Sequence, residues 1–366
     1  MKSQKIAFEP MVLPLGADYI KPKLFFDSLI DATAQLEVYK EKIKDSKLSQ
    51  HWFLPTLQQK EALASSMLEG TQATLDGVLI NQVVPDDKDA NLVEIINYNT
   101  AAIMGYNFLK RDKMSKDFIL EIHKILMKGK VRRQNQEVGI FRTQQNYIGK
   151  VGSPHEITYT PPIFEKVPEL MDNLINYILE PKDILRPLVR TAIVHAQFET
   201  IHPFLDGNGR VGRILIPLYL YASEQIDMPC FFISEALERD KMKYYTLLNN
   251  IREKGQWSEW INFFLQIVTS QCKKYIRIIS DINKLYNEHL SKASGLVRSN
   301  QMTEIIDLLF RFPIINANTI AKETQIPPAT INRYLNALVQ AQILYTDNKS
   351  RNRTFFYYDL LNIIRD

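Results

Sequence analysis

Two apolar helical runs meet head to tail around one polar turn, and that junction constrains the chain more than any other stretch. The first run, "PLVRTAIVHAQFET", ends at residue 200, and the second, "VGRILIPLYLYASEQ", starts at residue 211. Between and overlapping them lies "HPFLDGNGRVGR", residues 202–213. Pro203 restricts the residue before it and helps stop the first helix. Gly207 and Gly209 flank Asn208, so the backbone can turn without a Cβ in the way, and its N–H groups can point inward. The helix that starts near Arg210 adds its positive N-terminal end. The segment therefore reads as a helix–loop–helix that presents an anion-binding loop.

The side chains of the turn suit one kind of chemistry. A free histidine titrates near neutral pH, so His202 reads as a group that can take a proton from an attacking hydroxyl. Phe204 reads as a buried anchor for the loop. Asp206 offers an oxygen ligand suited to Mg²⁺, which binds through one or two carboxylates plus substrate phosphates. Arg210 and Arg213 stand three apart in the first helical turn, where guanidinium groups can hold the outer phosphates of a triphosphate. Together they describe displacement at a nucleotide phosphorus, in which a base deprotonates the nucleophile while a metal, an anion hole and arginines hold charge.

The bulk properties fit such a protein. At 366 residues, about two domains are expected, and a hydrophobic content of 45% supplies a sizeable core. A formal charge of +4 is compatible with an anionic small molecule and does not by itself argue for nucleic acid. Cys230 and Cys272 lack zinc-ligand spacing and are expected as a buried, reduced pair. The N-terminus "MKSQKIAFEP" carries no apolar leader and no run is long enough for a membrane span, so a cytoplasmic chain is expected.

Along the chain, "LPTLQQKEALASSMLEG" reads as a helix closed by Gly70. Residues 137–162 break the helical pattern and read as a β-hairpin around a Gly-Ser-Pro turn. Helices resume to about residue 290, followed by the polar joint "SKASGLVRSN". From about residue 300, three short helical patterns and an alternating ribbon over 343–360 give the layout of a winged helix-turn-helix.

The stretch 202–213 resembles the Fic (filamentation induced by cAMP) signature HxFx(D/E)GNGRxxR at every defined position: His202, Phe204, Asp206, Gly207, Asn208, Gly209, Arg210 and Arg213. The resemblance implies a mainly α fold: a Fic-type helical core with a β-hairpin flap, here with a small C-terminal winged helix-turn-helix. It divides the chain into an N-terminal region, 1–90, a catalytic domain, 91–290, and a winged-helix domain, 296–366. It also implies AMP transfer from ATP to a Ser, Thr or Tyr hydroxyl of a target protein or of the enzyme itself, with Mg²⁺ and release of pyrophosphate. By that likeness His202 is the base, Asp206 holds the metal, and Gly207, Asn208 and Gly209 bind the inner phosphates. Arg210, Val211, Gly212 and Arg213 continue the nucleotide site, with the arginines at its β/γ end. The Doc branch, which phosphorylates its target, carries lysine where this chain has Gly209, so nucleotide transfer is favoured.

A second likeness lies upstream. Ser65 and Glu69 in "SSMLEG" stand four apart, as in the Fic inhibitory helix (S/T)xxxE(G/N), expected here around 56–70. This implies that Glu69 pairs with Arg213 and blocks the γ-phosphate position; relatives with this helix also remove AMP, so de-AMPylation stays open as a second activity. The hairpin resembles the Fic flap, whose edge can pair with an extended target segment through Gly149 and Lys150, with Thr160 and Pro161 closing over the nucleotide. Tyr245, with Tyr244 beside it, is expected to line the adenine pocket, and Glu199 to stand near the nucleotide. His123, His195, Trp257 and Trp260 read as structural.

The C-terminal segment, 296–366, carries eight Lys and Arg against six Asp and Glu, short of the basic face that a phosphate-binding module shows. Its presumptive recognition helix carries only Arg333, with Lys349, Arg351 and Arg353 clustered on the wing. Protein interaction or a homodimer is at least as well supported as DNA. Two other functions stay open: a transcription regulator that senses nucleotide, and a transferase using another nucleotide donor.

Overall fold

A computed structural model of the chain describes residues 6–46, 54–85, 89–129, 131, 137–150, 153–297, 299–347, 349 and 352–365, with only the backbone of 54, 150 and 153–156. The fold is mainly helical with two small antiparallel sheets. Its centre is the pair expected from the sequence, α7 (Pro187–Ile201) and α8 (Asn208–Ala222). Every residue of α7 from Thr191 to Ile201 is buried, and so are twelve residues of α8. Helices buried on nearly every side lie in the middle of a core, and these two carry polar side chains such as Glu199 and Arg213 into it.

The other helices surround this pair. Before it come α1 (Phe26–Lys44), α2 (Leu54–Leu68), α3 (Leu75–Val83), α4 (Ala90–Leu109), α5 (Lys116–Leu126) and α6 (Val167–Leu179). After it come α9 (Ser234–Arg239), α10 (Lys241–Lys254) and α11 (Trp257–Leu296). Caps fix several starts: Thr74, Asp89 and Ser115 accept from backbone N–H groups at the entries of α3, α4 and α5. The strands β1 (Ile148–Lys150) and β2 (Ser153–Tyr159) form the expected hairpin, paired from Ile148↔Tyr159 to Lys150↔Ser153. The irregular N-terminal segment is strapped to the core. Asn173 bonds both backbone groups of Leu13 at 2.9 Å, and Gln197 donates to the Met11 carbonyl at 2.7 Å.

Two boundaries differ from the sequence reading. The apolar helical region after residue 241 is broken by Gly255, whose φ of 65° closes α10. The second piece, α11, then runs straight through most of the polar joint to Leu296. Ala293 stays buried on its inner face, and Gly295 alone does not stop a helix that is packed there.

The C-terminal unit contains α12 (Asn300–Arg311), β3 (Ile314–Asn316), α13 (Ala317–Glu323), α14 (Pro328–Gln340), β4 (Tyr345–Thr346), β5 (Thr354–Phe356) and α15 (Tyr358–Arg365). The ribbon is joined by β3 into a sheet of order β3–β5–β4, with Ile314 and Tyr345 both opposite Phe356. The alternation read over 343–360 ends early, because Leu360, Leu361 and Ile364 are buried at helical spacing in α15. Asn332, Arg333 and Asn336 are exposed on α14, and Arg353 donates to Asn336 Oδ1 at 2.8 Å. Arg351 and Gly152 lie outside the described residues.

Candidate active site

The loop between α7 and α8 is held by four separate ties. His202 caps α7 in the left-handed region, φ 50°, with its N–H donating to the Phe198 carbonyl at 2.9 Å. Gly207, φ 79°, opens α8 in the same region, which favours glycine. The Asn208 carboxamide bridges the loop from within, accepting from Phe204 N–H at 2.9 Å and donating to the Phe204 carbonyl at 2.8 Å. Phe204 is fully buried and stacks on His123, with ring centroids 3.8 Å apart. His123 accepts from Gly139 N–H at Nδ1, 3.0 Å, so its proton sits on Nε2, which donates to the Asp206 carbonyl at 3.1 Å. Burial pushes the His123 pKa down to about 4, which keeps that tautomer neutral.

Arg142 was not singled out from the sequence, yet it joins loop and flap. Its Nε donates to the His202 carbonyl at 3.0 Å, and its other nitrogens reach the carbonyls of Gln144 and Pro162 at 3.3 and 2.5 Å. Its own backbone N–H donates to the Pro203 carbonyl at 2.9 Å. The only signal in the sequence is a lone cation at the foot of the hairpin.

The side chains singled out for chemistry gather above this frame. His202 is partly exposed, and its Nδ1 is buried with no hydrogen-bond partner. Burial, reinforced by the positive Arg252 and Arg142, pushes its pKa down to about 3. The imidazole is therefore neutral at physiological pH and able to accept a proton. Asp206 is also partly exposed, its Oδ1 accepting from Gly207 N–H at 2.6 Å. Among the described residues no group of three His, Cys, Asp or Glu side chains converges as a metal cage.

Arg213 is 1% exposed, and its partners come from the end of α2. Its Nε donates to Ser65 Oγ at 2.8 Å, and its terminal nitrogen donates to the Ser65 carbonyl at 2.9 Å and to Glu69 Oε1 at 2.7 Å. Burial would raise the Glu69 carboxyl, but the Arg213 guanidinium, seconded by Arg210, holds it below the usual carboxylate range. The carboxylate lies so close over Gly209 that any side chain there would collide with Glu69 and Arg213. Glu69 thus covers the first turn of α8, where the backbone N–H groups have no partner inside the helix.

Other expected site residues are placed differently from one another. Arg210 is buried beneath the loop, with the Asp206 and Glu94 carboxylates each 3.7 Å from its guanidinium. Asn208 has its carboxamide occupied by Phe204, which leaves its backbone for an anion. Val211 and Gly212 are buried in α8, where Gly212 lets the Glu199 carboxylate pack directly against the helix. Glu199 is 7% exposed with Oε1 unpartnered, and burial pushes its pKa up to about 7.

Tyr244 turns into the core, donating from its hydroxyl to His195 Nε2 at 2.9 Å, while His195 Nδ1–H donates to the Gly212 carbonyl. A helix cannot aim two adjacent side chains the same way, so of the two tyrosines only Tyr245 stays partly exposed, its hydroxyl 3.4 Å from the Leu68 carbonyl. On the flap, Gly149 pairs with Ile157 and the Lys150 backbone with Ser153. Thr160 and Pro161 are buried, their carbonyls taken by Phe8 N–H and Gln145. Trp257, Trp260 and both cysteines are buried.

This helical core displays a glycine-rich turn, a neutral histidine and an arginine covered from a separate helix. Within it, the Fic/DOC family model matches residues 113–220 and the Fic/DOC family N-terminal model matches 26–107; the chain belongs to the Fic/DOC family. A probable protein adenylyltransferase of Aquifex aeolicus is 25% identical over 69% of this chain and 81% of its own length. The protein adenylyltransferase Fic-1 of Caenorhabditis elegans is 31% identical over 42% of this chain, a stretch that spans only 28% of that protein. Among solved structures, a Fic family protein from Desulfovibrio desulfuricans superposes with a TM-score of 0.61 at 19% identity, covering 92% of this chain and 96% of that one.

Proposed function

We propose that the chain is a protein adenylyltransferase that moves AMP from ATP to a hydroxyl side chain of a target protein and of itself, and that Glu69 is its brake. The observation that carries this reading is Glu69 seated on the buried Arg213, over Gly209 and the open first turn of α8. A carboxylate there occupies what a nucleotide phosphate would need. The relatives named as protein adenylyltransferases support the same reaction.

In the proposed reaction the target hydroxyl oxygen forms a bond to the α-phosphorus while the bond from that phosphorus to the bridging oxygen breaks, and pyrophosphate leaves. The hydroxyl proton passes to the neutral imidazole of His202, which Arg142 and Phe198 hold at the loop entrance. Backbone N–H groups of residues 207–209 cradle the inner phosphates. Arg213, once Glu69 has withdrawn, holds the outer end. A single partly exposed carboxylate without a surrounding acidic cage fits Mg²⁺, which takes its other ligands from phosphate and water. Asp206 would hold that ion, which when bound neutralises charge on the phosphate oxygens. The edge of β1, at Gly149 and Lys150, would align an extended target segment.

The C-terminal unit reads as a winged helix. With Arg333 the one cation of α14, a protein surface or a second copy of the chain suits it at least as well as duplex DNA. Among the described residues no helix is long and apolar enough to cross a membrane. Incubation with ATP labelled on the α-phosphate, beside UTP and other donors, tests the reading. Label is expected on the protein from ATP, faster with Glu69→Gly and at least a hundredfold slower with His202→Ala; a preference for another donor, or labelling undiminished by His202→Ala, overturns it. Release of AMP from pre-labelled protein in the same assay reads the reverse direction.

A further inference from the structure

The helix that carries the brake is held at its far end by the C-terminal unit. Thr56, in the first turn of α2, donates to the Arg311 carbonyl at 3.3 Å. Lys60, one turn on, donates to the Ile364 carbonyl at 2.7 Å and pairs with Glu235 at 3.1 Å. Ile364 lies in the last turn of α15, where carbonyls lack helical partners and a cation is favoured, so Lys60 caps that helix from outside. Lys60 is only 8% exposed, so this contact is made inside the protein.

The element on the other side of Glu69 is docked on the same unit. Leu79 of α3 packs against Ile314 of β3 and Leu361 of α15. Arg365 forms a two-pronged pair with Asp76 at 2.6 and 2.8 Å, and Asn316 reaches the Val83 carbonyl at 3.4 Å. The turn bearing Glu69 therefore lies between two helices that both rest on the C-terminal unit. From Thr56 to Glu69 is about 20 Å along a helical axis, and an unbroken helix moves as a rod.

We infer that the C-terminal unit is a clamp that keeps Glu69 seated on Arg213, with Lys60 as its positioning residue, so that loosening this unit from α2 releases the brake. The inference rests on the reading of Glu69 as the brake. It assigns the α2–α3 face of the unit a regulatory task separate from any partner on α14.

The test uses the full chain carrying Lys60→Met, with Leu79→Ala as a second variant that trims only the apolar contact. Amide hydrogen exchange across residues 61–69 and the rate of self-modification are read, each with and without Glu69→Gly. Exchange in 61–69 is expected to quicken roughly tenfold, as for loss of one charge-assisted hydrogen bond. Self-modification is expected to rise in the wild-type background and to gain nothing further in the Glu69→Gly background. Unchanged exchange in both variants overturns the clamp, and so does an equal rise in the Glu69→Gly background. Glu69→Gly without effect would instead count against the brake, while the exchange arm still decides the clamp.

Discussion

Replacing Glu69 with glutamine keeps the shape of the side chain and removes its charge from a guanidinium that is 1% exposed. Breaking a buried ion pair by deleting one partner costs about 3–5 kcal/mol. Three circumstances reduce that here. The two bonds to Ser65, at 2.8 and 2.9 Å, survive. The glutamine oxygen can still accept one neutral hydrogen bond, worth about 1 kcal/mol. The Glu69 side chain is 35% exposed, so solvent screens part of the interaction. The expected loss is about 1–3 kcal/mol, a fall of a few degrees in the melting temperature without nucleotide. Mg-ATP should then stabilise Glu69→Gln more than wild type, because the triphosphate meets an arginine with no carboxylate to displace; at a hundredfold excess over Kd, binding alone contributes about 2.7 kcal/mol. The sign with pH follows from a carboxyl held below its usual range. Its contribution is complete above the unfolded value of 4.5 and disappears as pH falls through the folded value. The gap between the two proteins should thus be constant from about pH 6 to 8 and close in acid. Equal melting without nucleotide and equal shifts with it would refute the argument that Glu69 and a phosphate compete for Arg213.

Two further outcomes are expected. With the His202 pKa pushed down to about 3, transfer in the Glu69→Gly protein should show no acid limb from this residue between pH 5 and 8, whereas His202→Ala should lower the rate by roughly 10²–10⁴ with nucleotide affinity retained; a limb near the ordinary histidine value would contradict the burial of the ring. Arg142→Met removes donors to three carbonyls of the loop and flap, so hydrogen exchange in 137–149 should quicken and transfer fall while Mg-ATP affinity changes less than about threefold, since charge-assisted bonds of this kind contribute roughly 1.5–3 kcal/mol each. An unchanged rate would remove Arg142 from the framework of the site.

What could be read from the sequence follows the range of the forces involved. The stop at Pro203, the left-handed Gly207 and the anchor Phe204 depend on backbone and neighbours a few residues away, and all are placed as expected. The assignment of side chains to ligands was less legible. The contacts that hold them in the fold are not in the motif: Asn208 staples its own loop through Phe204, and Arg210 lies under it beside Glu94. A local pattern cannot say which of several polar groups the fold will use to satisfy itself. The missed helix α15 has a simpler cause, since two adjacent tyrosines continued an alternation that the burial of Leu360 and Leu361 had already ended. Lys60 carried no signal at all, because its acceptor on Ile364 is 304 residues away.

That distance also explains why the proposed brake would need a fold rather than a motif. Arg213 is buried and pairs with an anion, and in the proposed reaction Glu69 and a phosphate would be alternative anions for the same donors. The brake is therefore only as strong as the difference between them, since a carboxylate that bound no better in one arrangement than the other would shift nothing. Ser65 satisfies part of the guanidinium in the closed arrangement, which limits how much the Glu69 contact can add by itself. What tips the balance is the effective concentration of the carboxylate, set by how firmly α2 is kept in place. Each tie along α2 raises it: Thr56 and Lys60 to the C-terminal unit, Glu61 to Ser234 at the start of α9, and the Leu68 carbonyl to Lys241 at 2.7 Å. A signal that cut any of these would act on the nucleotide site without touching it.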